Sequence, residues 1–177
     1  IKNKRMKNII YLVLAMLIFA SCEKPNKIGF VDNGTIINDY QEKKDLEAEF
    51  QLKEEAYRKK FDSIDQAFQI EVQQFQAGAQ KMSQNKAQEK YQELGQKKQI
   101  QDQQKQVEAQ EFQQAFRVEL DSIISKVKKF ENEYGKANGY TYILGTSDEL
   151  ATVLYGAEEH DITQVILDSL NAKYEKK

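Results

Sequence analysis

Proline is almost missing from this chain: there is one in 177 residues, and glycine occurs only eight times. So few helix breakers, in a sequence heavy in Gln, Lys and Glu, exclude a loop-rich or all-β fold and favour long helices. A single cysteine excludes an internal disulfide. The single histidine, His160, has only Glu158, Glu159 and Asp161 beside it in sequence. It reads as a surface residue near a helix cap, not as a metal ligand or an acid–base catalyst. No Gly-rich phosphate loop, nucleophile elbow or Cys/His ligand spacing occurs, so no catalytic, cofactor-binding or metal residue is assigned and an enzyme is not expected. Mean hydropathy is −0.73 although the first residues are strongly apolar. The remainder is therefore very polar, and a deep single-chain core is not expected.

The apolar start has a specific form. Lys2, Lys4, Arg5 and Lys7 make a basic cluster, Ile9 to Ala20 is a nearly unbroken apolar run, and Phe19-Ala20-Ser21-Cys22 follows. This order, over residues 1–21, is that of a secretory signal. The run is about a dozen residues, short of the ~20 needed to span a bilayer as a helix. Cys22 sits where the apolar core ends, and its setting resembles a bacterial lipobox, with Phe19 where leucine is usual. The reading taken is lipid attachment at Cys22, which would hold the protein on a membrane. An ordinary signal peptide with a nearby cysteine is the alternative. Residues 1–21 carry four of the 26 basic residues and no acid. Their removal leaves 22 basic against 28 acidic residues, a net charge of −6. Nucleic acid is thereby excluded as a partner, because phosphate binding needs a basic surface.

Residues 22–26 form a polar linker around Pro25. Lys27 to Asp32 alternates and runs into Asn33-Gly34, which predicts a strand ended by a turn. Thr35 to Tyr40 fits a short helix. From Gln41 the pattern turns helical. Leu46, Phe50, Lys53, Tyr57, Phe61, Ile64, Phe68, Val72, Phe75, Ala79 and Met82 recur over 36 positions in ten steps, a mean of 3.6. A strict heptad would average 3.5 and impose a left-handed supercoil. Gly78 and Ser83-Gln84-Asn85 mark a hairpin tip within 78–87. The return helix carries Tyr91, Leu94, Lys98, Gln101, Lys105, Glu108, Phe112, Phe116, Leu120, Ile123, Val127, Phe130 and Tyr134 on its inner stripe. That stripe is apolar from Phe112 onward and polar before it. Gly135 and Asn138-Gly139 are expected to end the helix. Tyr140 to Leu144 and Leu150 to Tyr155 read as two further strands. A terminal helix follows, with Ile162, Ile166, Leu170 and Tyr174 on one face. Asp161 with Gln164, or Thr163 alone, would cap it.

The expected fold is mainly α with a small β body: a helical hairpin arm over 41–134, inserted between strands of a body formed by 27–40 and 135–177. Arms of about 40 residues would reach ~60 Å. A body that small buries too little to support them alone, which points to oligomerisation.

Three stretches make the chain resemble the Skp (OmpH-like) family of periplasmic chaperones. They are Lys27-Ile28-Gly29-Phe30-Val31-Asp32 with Gly34 and Ile36-Ile37; Gly139-Tyr140 with Ile143-Leu144; and Asp161-Ile162-Thr163, Ile166-Leu167, Leu170-Asn171. The likeness spans residues 27–175, with the arms matched by pattern only. It implies a homotrimer whose strands build a central body and whose three hairpins enclose a cavity. It further implies an ATP-independent holdase, without cofactor, for unfolded outer-membrane or periplasmic proteins. The best-known members have basic arms and are soluble in the periplasm. This chain is acidic, and Cys22 suggests an anchor in the cell envelope.

Within that frame Phe50, Tyr57 and Phe61 are read as packing on the return arm, where Phe112, Phe116 and Leu120 can face them. Phe68, Phe75 and Met82 are candidate client contacts, with packing as the open alternative for the two phenylalanines. The run Gln96 to Gln106 is read as a solvated helix face. The competing function is an adaptor lipoprotein whose hairpin docks one fixed envelope partner.

Overall fold

A computed structural model describes residues 26–147 and 150–175. The signal, Cys22 and most of the linker lie outside them. In chain order the elements are β1 (Ile28–Asp32), α1 (Asn33–Asp39), α2 (Gln41–Ala79), α3 (Gln84–Ala137), β2 (Tyr142–Thr146), a short 3-10 turn (Glu158–His160) and α4 (Thr163–Tyr174). The protein is thus mostly helical with one two-stranded sheet, as the composition requires.

Asn33-Gly34 is not a free turn. It is the first turn of α1, because the Asp32 carboxylate accepts a 3.0 Å bond from the Thr35 N–H and caps the helix two residues earlier than the sequence suggests. The backbone opens at Tyr40 (ψ 126°) and α2 begins. Its first N–H finds a partner from the other end of the chain, with Gln41 N–H donating to Asn171 Oδ1 at 2.9 Å. The hairpin turns at residues 80–83, where Lys81 and Met82 N–H bond to Gly78 and Ala79 carbonyls.

Gly135 does not end α3; it is buried inside the helix. A Cβ there would meet Ile143 Cδ1 at 3.1 Å, so glycine lets β2 lie against the helix. The stop comes at Gly139, in the left-handed region at φ 70°. Tyr140 N–H bonds to the Gly135 carbonyl at 2.9 Å and Gly139 N–H to Lys136 at 3.4 Å, the paired bonds of a Schellman cap. Tyr140 then stacks near Tyr134, ring centroids 6.2 Å apart.

β1 and β2 pair in parallel, Ile28 opposite Tyr142 through Asp32 opposite Thr146. A parallel pair needs a long crossover, and here the whole hairpin supplies it. One face of the sheet packs inward through Val31 and Ile143. Val31, Ile36, Tyr40, Ile123, Val127, Ile162, Ile166, Leu167 and Leu170 form the core, so the base of α3 and the apolar face of α4 close on the sheet and α1. The N-cap position of α4 is Ile162, which has no side-chain cap; Asp161 before it accepts from the Thr163 N–H at 2.9 Å. Gln164 instead donates to Asp168, and Thr163 Oγ1 accepts from the Asp32 N–H.

The expected strand at Leu150 to Tyr155 is not formed: these residues are irregular, and Leu154 and Tyr155 are 91% and 88% exposed. Strand backbone needs a partner strand, and among the described residues none pairs with this segment. The other sheet face is also open, with Ile28, Tyr142 and Leu144 exposed.

Candidate functional site

The arm changes character along its length. α2, at 39 residues, extends ~58 Å. Near its root Phe50 is buried between Phe112 and Phe116, ring centroids 5.3 and 5.2 Å away, as expected. Tyr57 packs on Phe61 at 4.7 Å and donates its hydroxyl to the Lys105 carbonyl at 2.8 Å. Phe61 is almost fully buried. Lys53 and Tyr91, both expected on the inner stripe, point outward. The half-buried Lys90, one residue before Tyr91, takes the inward position.

Beyond Phe61 the two helices are unlike. α2 continues with half-buried Ile64, Phe68, Val72 and Phe75. α3 offers Lys90, the buried Leu94, Lys98, Gln101, Lys105 and Glu108. Charge closes the seam. Asp65 is bonded by Lys98 and Lys105, each at 3.2 Å. Glu71 is bonded by Lys90 at 3.1 Å and Lys97 at 2.5 Å. Lys60 of α2 reaches both oxygens of Glu108 at 2.7 Å. These bonds hold the Asp65 carboxyl, chiefly through Lys105, and the Glu71 carboxyl, chiefly through Lys97, below the ordinary carboxylate range. Glu108 is lowered by Lys60 and Gln104.

Gln96 to Gln106 is therefore not simply a solvated face. Its glutamines at 96, 99, 103, 104 and 106 are exposed, but Lys97, Lys98 and Lys105 cross to α2. The signal was present in the sequence: Lys98 and Lys105 already fall on the helical stripe, seven residues apart. What it lacked was the partner, because Asp65 is one residue off the apolar stripe of α2.

At the tip the seam opens into a groove of about 580 Å³ lined by Phe75, Met82, Glu71, Gln74, Lys86, Glu89, Lys90 and Glu93. Phe75 is half-buried and Met82 is 42% exposed. Phe68 does not join them; it lies farther down the seam, with Lys98 Nζ 5.8 Å from its ring centre. Cys22 lies outside the described residues. Among those residues no cluster of His, Cys, Asp or Glu is placed to hold a metal ion, and no helix is long and apolar enough to cross a membrane.

A parallel two-stranded sheet, spanned by one long helical hairpin and closed by a C-terminal helix, defines a class of hairpin-armed proteins. The chain belongs to the OmpH-like outer membrane protein family, whose pattern matches residues 27–170. The fold is similar to that of a Caulobacter crescentus protein assigned as an OmpH-like outer membrane chaperone. The TM-score is 0.75 at 12% identity, over 85% of this chain and 87% of that one. No curated protein matches the sequence.

Proposed function

We propose that this chain is an ATP-independent holdase that keeps unfolded exported proteins, outer-membrane β-barrel precursors among them, from aggregating. Membership of the OmpH-like family and the role assigned to the Caulobacter protein support the reading. The observation that carries it is the tip groove. Phe75 and Met82 present aromatic and thioether surface there, with two lysines and three carboxylates around them. Such a surface grips many sequences because it needs no fixed geometry from its partner. Mixed charges of both signs stand there in place of the basic arms of better-known relatives, so client binding should depend little on client charge.

The working form is a homotrimer, held in the cell envelope by lipid on Cys22. In support, the open sheet face of Ile28, Tyr142 and Leu144 and the exposed Leu150, Leu154 and Tyr155 form apolar surface that the single chain leaves in water. An α3 groove beside β2 also holds Glu131, which burial pushes above the usual carboxylate range and whose Oε1 has no hydrogen-bond partner. A photocrosslinking residue at Phe75 tests the client site in cells. Many exported proteins should be captured. One dominant partner would instead favour the adaptor reading.

A further inference from the structure

The distal arm pairs an apolar helix face with a charged one. Opposite Phe68, Val72 and Phe75 the inner face of α3 carries the buried Leu94 among Lys90, Lys98 and Gln101. Two carboxylates, Asp65 and Glu71, lie one residue off the apolar stripe of α2. Each accepts from two lysines seven residues apart, Lys98 with Lys105 and Lys90 with Lys97, so each spans two turns of α3. The lysine stems are thereby drawn over the apolar stripe, with Lys105 Nζ 5.7 Å from the Phe61 ring centre and Lys98 Nζ 5.8 Å from that of Phe68.

Two of the lysines also have partners on their own helix. Lys98 pairs with Asp102 at 2.8 Å and Lys90 with Glu93 at 2.9 Å. If α2 moves away, these lysines keep a counter-ion, and Asp65 and Glu71 pass into water. Lys97 and Lys105, with side chains already 46% and 43% exposed, pass into water as well, so opening buries no charge without a partner. The root differs: Phe50, Phe112, Phe116, Ile123 and Val127 close it by apolar contact, which screening does not weaken.

We infer that Asp65 and Glu71 with their four lysines form a charge-operated latch: closed, it covers the apolar stripe between Phe61 and the tip groove; screened, it lets α2 and α3 part beyond Phe61 and adds Phe68 and Val72 to the surface that Phe75 already presents. The uncovered stripe has the chemistry to take an extended apolar segment of an unfolded chain. That use rests on the holdase reading, whereas the latch itself does not.

The test measures distances between paired spin labels in the full chain carrying Cys22→Ser. One pair, at Gln73→Cys and Gln92→Cys, reports the distal seam. A second, at Gln51→Cys and Gln113→Cys, reports the root and confirms folding. Salt is raised from about 10 mM to about 1 M, which shortens the screening length from ~30 Å to ~3 Å. The latch predicts that the open distal population rises roughly fivefold or more while the root pair stays fixed. The D65N/E71Q double variant should be open already at low salt and respond little to more. A distal distance unchanged by salt and by the double variant overturns the latch, as does loosening of both pairs together. Aggregation assays on the same samples read the holdase separately, so failure there leaves the distance result standing.

Discussion

Ile166 lies with no exposed surface where α4 meets Val31, Ile36 and Val127. Truncation there leaves a hole in the core that joins β1 and α1 to α4. Ile166→Ala should cost ~2–5 kcal/mol, read as a shift in urea midpoint. The same residue was legible beforehand, since Ile162, Ile166, Leu170 and Tyr174 fall on one helical face. Caps were harder to read. Asp161 and Thr163 each offer a cap for α4 in the sequence, but the N-cap position falls on Ile162, and Thr163 Oγ1 accepts from the Asp32 N–H instead. Gly135 misled for a related reason. A glycine near a helix end reads as a stop, but here it is small to admit Ile143, and Gly139 supplies the positive φ.

At the scale of elements, the 3.6 period placed both arms and the tip, because long periodic stripes leave few alternatives. The missing strand at Leu150 to Tyr155 shows the opposite case: its residues suit a strand, but pairing is not a local property. The ion pairs of the distal arm are not legible from apolar periodicity, because Asp65 and Glu71 lie one residue off the stripe. Two predictions follow from that seam. Gln101 lies on the inner face of α3 between Lys98 and Lys105, and its buried Oε1 has no partner. Gln101→Leu should stabilise the chain by ~1 kcal/mol, seen as a higher urea midpoint with an unchanged slope. Acid should act on the latch. Asp65 and Glu71 have depressed folded pKa values, chiefly from Lys105 and Lys97. Their contribution is fully present above the ordinary carboxylate range and is lost as pH falls below it through the folded values. The distal label pair should therefore widen only once pH drops below that range, with the root pair unmoved. Widening already near neutrality would contradict the assignment.

For the whole molecule, the single chain leaves apolar surface in water at Ile28, Tyr142, Leu144 and Leu154. A two-stranded parallel sheet with one apolar face in water, and a strand-like segment lying unpaired, is marginal by itself. Sedimentation of the lipid-free protein should give about three times the mass of one chain, the assembly that the family resemblance implies. A monomer at micromolar concentration would remove the cavity between arms. Substitution of Tyr142 and Leu144 by Ser should weaken the assembly more than any change on the arm. The holdase itself is tested most directly by light scattering. A β-barrel protein is diluted from urea with and without the purified chain at several-fold trimer excess. Scattering should fall to near the background without nucleotide, and equally for acidic and basic barrels. Scattering unchanged by the chain would contradict the proposed function.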